Sequence, residues 1–130
     1  MPLAYIALGA NLDDPVTQVS HAVTALRRLP RSRLLRTSSL YRTAPVGIHS
    51  QPDFINAVAA IDTELLPEAL LEALLGIEAD FGRRRDYHHA PRTLDLDLLL
   101  YEDHKMDTPR LALPHPRMHL RAFVLAPLLE

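Results

Sequence analysis

The chain has no cysteine and no tryptophan, and it contains no long apolar run. Without cysteine it can form neither disulfides nor thiolate zinc sites, which is typical of proteins in a reducing compartment. No apolar run approaches the roughly 20 residues of a membrane-spanning helix, and the N-terminus lacks the basic start of a signal peptide. We therefore expect a cytoplasmic protein that does not contact a membrane.

Lysine is also scarce, because Lys105 is the single lysine among 14 basic side chains. With 16 acidic residues the net charge is −2, which argues against a surface that binds nucleic acid through its phosphates. The abundant arginines favour bidentate phosphate contacts, so a small phosphorylated ligand remains compatible. At 130 residues, we expect one domain spanning 1–130.

Hydrophobic periodicity and turn residues predict the order strand, helix, strand, strand, helix, strand. The predicted elements are a strand at 4–8 with a turn at 9–12, a helix from Pro15 to about residue 29, strands at 33–42 and 54–61, a helix at 67–81, a strand at 92–99, a short extended segment at 111–114 and a helix at 118–125. We expect Asp13 or Asp14 to cap the first helix, and its apolar stripe to comprise Val16, Val19, Val23 and Leu26. The order is that of a ferredoxin-like βαββαβ sandwich of the α+β class, with helices on a mainly antiparallel sheet.

The strand at 92–99 carries acidic and apolar residues in alternation. Side chains alternate between faces of a strand, so Leu94, Leu96, Leu98 and Leu100 should share one face. Asp95 and Asp97 then lie on the other, with Cα atoms roughly 6.5–7 Å apart. The two carboxylates are either solvent-facing acids or ligands of one or two hard cations such as magnesium, with phosphate oxygens completing the coordination.

Other candidate residues also have two interpretations. The arginines at 83–85 form either a solvated basic turn or a phosphate-binding group beside the aspartates. His115, between two prolines, is either a packed or exposed histidine or a donor to phosphate. Phe54 and Phe123 are either core aromatics or contacts of a flat heterocycle, whose edge the amide of Asn56 could bind.

Together these residues resemble a known family. The matching segments are 4–12, 41–45, 51–56, 77–83, 90–99 and 114–123, and they span essentially the whole chain. The segment at 90–99, APRTLDLDLL, is similar to the signature of the 6-hydroxymethyl-7,8-dihydropterin pyrophosphokinase family of folate biosynthesis. Family members usually continue beyond the position of Glu130, so the domain looks short at its C-terminus.

The resemblance implies a transfer of diphosphate from ATP, the co-substrate, to the hydroxymethyl oxygen of the pterin, with release of AMP. It implies two magnesium ions on Asp95 and Asp97, with Arg83 and Arg92 on the transferring phosphates. It assigns the pterin to Thr43, Val46, Phe54, Asn56 and Phe123, and ATP to Glu78, Arg85, Leu98, Arg110, His115 and Arg121. The loops at 45–52 and 83–90 would close over the substrates. We expect a monomer with these small-molecule substrates.

Two other functions remain open from the sequence. A ferredoxin-like regulatory module would bind a small ligand without chemistry and independently of magnesium. A magnesium-dependent phosphohydrolase would use the same two aspartates to release inorganic phosphate from ATP without a pterin.

Overall fold

The computed structural model describes residues 2–10, 14–43, 54–81, 94–102, 106–107 and 111–113. In these ranges the chain forms β1 (Leu3–Ala10), α1 (Pro15–Arg27), β2 (Ser32–Thr37), β3 (Tyr41–Thr43), β4 (Phe54–Thr63), α2 (Pro67–Phe81), β5 (Asp95–Tyr101), β6 (Met106–Asp107) and β7 (Ala112–Leu113).

The main sheet has the strand order β2, β4, β1, β5, and β3 pairs with the other end of β4. All of these neighbouring pairs are antiparallel. Placing β4 between β1 and β2 is the split βαβ arrangement of ferredoxin-like folds, so the predicted fold class is confirmed. β6 and β7 form a separate two-stranded antiparallel ribbon.

Both helices and one face of the sheet form the main core. Ile6 and Leu8 of β1 are buried against Leu26 of α1 and Leu70 and Leu74 of α2. We call this side of the sheet the core face and the opposite side the second face. The predicted alternation along β4 is confirmed: Ile55, Ala57, Ala59 and Ile61 are paired with core-face residues of β1, and Phe54, Asn56, Val58 and Ala60 alternate with them.

A bulge in β5 changes the predicted faces of its last residues. Ile6 is opposite Leu98 and Tyr5 is opposite Leu100, which leaves Leu99 as an extra residue on β5. Leu98 therefore lies in the core, as predicted, but Leu100 does not. Tyr101 takes the next core position, while Leu100 packs with Leu99 in a small cluster on the second face.

The segment predicted as one strand at 33–42 is two strands, β2 and β3. Ser38 interrupts them, since its backbone N–H donates to the carbonyl oxygen of Val58 at 2.8 Å and its Oγ accepts from the Val58 N–H at 2.9 Å. The side-chain hydroxyl thus replaces a strand contact. The turn predicted at 9–12 does not begin at Gly9, because Gly9 and Ala10 continue β1.

The helices predicted from Pro15 and at 67–81 are confirmed, with local differences in α1, which ends at Arg27 and not near residue 29. Pro15 begins α1, but Asp14 makes no side-chain hydrogen bond to the helix backbone; its Oδ2 accepts from the Thr17 hydroxyl at 2.8 Å. Val16 is 42% exposed and lies outside the stripe, whose buried members are Val19, Ala22 and Leu26. The predicted helix at 118–125 lies outside the described residues.

Tyr101 connects the core to the start of α2. The residue is 2% exposed, and its hydroxyl donates to the Leu65 carbonyl oxygen at 2.5 Å. Burial raises the pKa of Tyr101 above its usual 10.0, and the nearby negative charge of Glu102 raises it further. The folded state therefore favours the neutral phenol.

We predict that Tyr101→Phe lowers the free energy of unfolding by about 1 kcal/mol, because the Leu65 carbonyl loses its donor. Because the folded pKa of Tyr101 is raised, its contribution is complete below about pH 10 and is lost as pH rises through the raised pKa. Urea unfolding followed by circular dichroism at several pH values measures both effects. Tyr5→Phe, on a half-buried tyrosine, is the control, and a pH dependence above pH 10 that is identical in wild type and Tyr101→Phe would contradict the assignment.

Candidate functional site

Residues from three neighbouring strands meet on the second face. Asn56 of β4 is opposite Gly9 of β1, and Gly9 is in turn opposite Asp95 of β5. The next row contains Val58, Ala7 and Asp97 in the same order of strands. Directly opposed residues in antiparallel strands share a face. The sheet therefore brings an amide and two carboxylates to one surface with only small β1 residues between them.

The two carboxylates lie where the alternation of β5 predicts. Asp95 is exposed and Asp97 is partly buried, whereas Leu94, Leu96 and Leu98 are buried in the core on the other side. This arrangement anchors β5 through its apolar side chains and directs both aspartates to the second face. The predicted separation of acidic and apolar faces from Leu94 to Leu98 is confirmed.

Glu78 fixes the backbone between these two aspartates. Its side chain belongs to the buried stripe of α2 that includes Leu70 and Leu74, at helical spacings of four residues. Its Oε2 accepts a hydrogen bond of 2.7 Å from the backbone N–H of Leu96. In the described ranges β5 pairs within the main sheet with β1 alone. The Leu96 N–H, which is directed away from β1, has a side-chain acceptor where a neighbouring strand would supply a carbonyl oxygen.

The resemblance assigned Glu78 to ATP, and its contact with Leu96 was not anticipated from the sequence. A glutamate in the apolar stripe of a helix was the available signal, since buried carboxylates need hydrogen-bond donors. The partner itself depends on how α2 packs against β5. The assignment of Glu78 to ATP stays a prediction.

The described residues assigned to the pterin are neighbours in the sheet. Thr43 of β3 is opposite Phe54 of β4, two residues before Asn56. Phe54 is half-buried and Asn56 is 5% exposed. These positions lie at the end of β4 that faces Gly9 and Ala10, so the structure brings them to the same end of the sheet as Asp95.

Leu98 is part of the core, and the residue is 3% exposed. Any contact of Leu98 with ATP would therefore involve its backbone atoms, and this assignment also stays a prediction. The remaining assigned residues lie outside the described ranges: Val46, Arg83, Arg85, Arg92, Arg110, His115, Arg121 and Phe123. The same holds for the predicted loops at 45–52 and 83–90.

The donor set of Asp95 and Asp97 fits magnesium. Magnesium is usually bound by one or two carboxylates together with substrate phosphates and water, rather than by a complete cage of side chains. In the described ranges no group of three or more histidine, cysteine or acidic side chains is arranged to hold a metal ion. Within the same ranges no helix is long and apolar enough to cross a membrane.

Comparison with known proteins gives consistent matches along the chain. A profile of the family described as 7,8-dihydro-6-hydroxymethylpterin-pyrophosphokinase (HPPK) matches residues 5–130. The chain is 51% identical over 126 residues to 2-amino-4-hydroxy-6-hydroxymethyldihydropteridine pyrophosphokinase of Pseudomonas aeruginosa, covering 97% of this chain and 78% of that protein. It is 48% identical over 130 residues to the protein of the same name from Haemophilus influenzae, covering 100% of this chain and 81% of the relative.

A solved structure shares the fold. The crystal structure of Plasmodium falciparum HPPK-DHPS matches with a TM-score of 0.71 and 14% sequence identity, covering 96% of this chain and 39% of that one. At this identity the likeness supports the ferredoxin-like architecture alone.

The bond between Glu78 and Leu96 leads to a prediction about β5. Glu78→Leu fills the stripe with an apolar side chain but leaves the Leu96 N–H without this acceptor. We expect this variant to lose about 1–3 kcal/mol of stability and to exchange the Leu96 amide hydrogen faster, as measured by NMR. Glu78→Gln, which keeps an acceptor oxygen, is the matched control. Unchanged Leu96 exchange in Glu78→Leu would show that the bond does not hold the strand.

Proposed function

The chain belongs to the 7,8-dihydro-6-hydroxymethylpterin-pyrophosphokinase family, and we propose that it transfers diphosphate from ATP to the pterin with magnesium held by Asp95 and Asp97. Family membership rests on the profile match and on the two relatives near 50% identity. The metal requirement, the number of two ions and the role of each residue are parts of the proposal.

The observation that carries the proposal is the juxtaposition of Asn56 and Asp95 across Gly9. Two interstrand spacings separate their Cα atoms, which amounts to roughly 9.5 Å. That distance leaves room for a flat heterocycle bound by the amide on one side and phosphates bound near the carboxylates on the other. Holding two reactants at adjacent positions in fixed orientation is a major source of catalysis.

In this proposal, the carboxylates of Asp95 and Asp97 supply the negative charge at the β5 side of the site. Magnesium, when bound there, neutralises phosphate charge and lowers the pKa of a bound hydroxyl. Asp95, being exposed, can reach a ligand with little movement of the backbone, and Asp97 is held more firmly because it is partly buried. We assign Arg83 and Arg92 to the transferring phosphates, because a guanidinium group can bind two phosphate oxygens at once.

On the pterin side, we propose that Asn56 binds the polar edge of the ring and that Phe54 stacks on it. Asn56 is buried, which favours a directed hydrogen bond over a solvated one. We propose that Thr43, Val46 and Phe123 also contact the pterin.

We place the remaining assigned residues on the ATP side. They are Glu78, Arg85, Leu98, Arg110, His115 and Arg121. The 130-residue chain is proposed to act as one domain, as a monomer and in the cytoplasm, on the basis of its length and composition.

The first test is product analysis. Incubated with ATP, magnesium and 6-hydroxymethyl-7,8-dihydropterin, the protein should form AMP and the pterin diphosphate in equal amounts, as measured by chromatography. Omitting the pterin should stop AMP formation. ADP in place of AMP, or phosphate released from ATP without the pterin, would contradict the proposal, and pterin binding without turnover would favour a regulatory module.

Substitution of the aspartates tests the metal assignment. Asp95→Asn and Asp97→Asn should each lower kcat by about a hundredfold or more, because each removes a charged metal ligand. The matched control is Asp62→Asn, near the far end of β4, where the carboxylate pairs with Arg33 at 3.1 Å. Loss of this exposed pair should cost at most about 1 kcal/mol of stability and leave kcat unchanged. Near-normal kcat in either β5 variant at saturating magnesium would refute its role.

A further inference from the structure

Gly9 occupies the one position of the row between Asn56 and Asp95 where a side chain would collide with the proposed pterin-binding amide. A Cβ atom built on Gly9 would lie 2.8 Å from Oδ1 of Asn56. The next nearest atoms are farther away, at 3.9 Å for Cγ of Asn56 and 4.0 Å for the Ile55 carbonyl oxygen. The conflict is therefore confined to the carboxamide oxygen, which occupies the space above Gly9.

The position of this oxygen shows the direction of the Asn56 side chain. Asn56 belongs to β4, but its Oδ1 lies over β1, next to the Gly9 backbone. The carboxamide therefore extends from β4 toward β5, the strand that carries Asp95. Because Asn56 is only 5% exposed, the side chain has little free space in which to adopt another rotamer.

We propose that Gly9 is a positioning residue for the pterin, because its missing side chain lets the Asn56 carboxamide lie across β1 toward the two aspartates. This inference rests on the proposed function, and it adds a residue to which the sequence assigned only a turn. Gly9 touches neither the phosphates nor the metal in this proposal. Its effect is steric: the absence of a Cβ atom leaves space for the Asn56 carboxamide.

The chemical consequence concerns the distance between the two substrates. If Asn56 binds the edge of the ring, the position of its carboxamide sets how far the hydroxymethyl oxygen lies from the phosphate bound near Asp95. Small displacements of bound reactants slow group transfer strongly. A side chain at position 9 would displace the carboxamide from this place, and the bound ring with it.

Glycine is not the residue that strand stability alone would select at this position. Glycine weakens the interior of a strand, because it loses more backbone freedom on folding and offers no side chain to pack. Gly76, in α2, provides the contrast, since no atom lies within 4 Å of a Cβ built there. Alanine fits at position 76, whereas at position 9 it requires Asn56 to move.

The experiment compares Gly9→Ala with Gly76→Ala, using the full chain. We expect Gly9→Ala to weaken binding of 6-hydroxymethyl-7,8-dihydropterin about tenfold, the effect of one lost hydrogen bond, and to change the KM for ATP by less than about twofold. Gly76→Ala should leave both values unchanged. Calorimetry gives the pterin Kd, steady-state kinetics gives the KM for ATP, and thermal unfolding establishes that each variant is folded.

A double-mutant cycle separates positioning from a general loss of structure. If Gly9 acts through the amide, Gly9→Ala should add no further loss of pterin affinity once Asn56→Ala is present. The NMR signals of the Asn56 side-chain NH₂ should shift in Gly9→Ala and remain in place in Gly76→Ala, whether or not the enzyme turns over. These NMR signals test whether Gly9→Ala displaces the Asn56 carboxamide even if the variant is less stable than the wild type.

The outcomes distinguish this inference from the proposed function. A wild-type protein that forms no AMP would reject the proposed function, and with it the role of Gly9 toward the pterin. An active wild type in which the two substitutions have additive effects, or in which Gly9→Ala leaves the Asn56 signals and the pterin Kd unchanged, would reject the role of Gly9 alone.

Discussion

The separation of the two faces of β5 is the constraint on which the site depends. Leu94, Leu96 and Leu98 are buried in the core, and their burial forces Asp95 and Asp97 to the second face. A shift of register by one residue would bury the carboxylates and expose the leucines, at a large cost in free energy. Among the strands that the structure describes, β5 pairs in the main sheet with β1 alone. The hydrogen bond from the Leu96 N–H to Glu78 joins it to α2 at the residue between the two aspartates.

The central strand β1 contributes to the site through small residues, which leave space above the sheet between β4 and β5. On the second face it presents Gly9 between Asn56 and Asp95, and Ala7 in the next row between Val58 and Asp97. Larger residues there would fill the surface on which the proposed substrates meet. The core face carries Ile6 and Leu8 next to these two positions, so the two faces differ in side-chain volume at this end of β1, whereas Tyr5 packs farther along the second face. β1 thus contributes large apolar side chains to the core and small residues next to the candidate site.

Much of the fold could be predicted from the sequence because its periodicities are strong. The apolar spacing of α2, the alternation of β4 and the order of elements each follow from local pattern. The bulge at Leu99 could not be predicted, since it depends on the register with β1 and on the burial of Tyr101, whose hydroxyl finds a partner in a distant segment. The bond between Glu78 and Leu96 and the close approach of Asn56 to Gly9 likewise arise only when separate elements pack together. For the candidate site, residue types and faces were predictable, but contacts were not.

The most direct test of the central claim is to locate the metal relative to β5. Manganese, which favours the same oxygen ligands as magnesium, broadens the NMR signals of nearby nuclei. In a titration of the protein with a non-hydrolysable ATP analogue present, the amides of Asp95, Asp97 and Gly9 should broaden first, and those around Asp62 should persist. Broadening centred away from β5, or equal at both ends of the sheet, would contradict the assignment of the metal to the two aspartates.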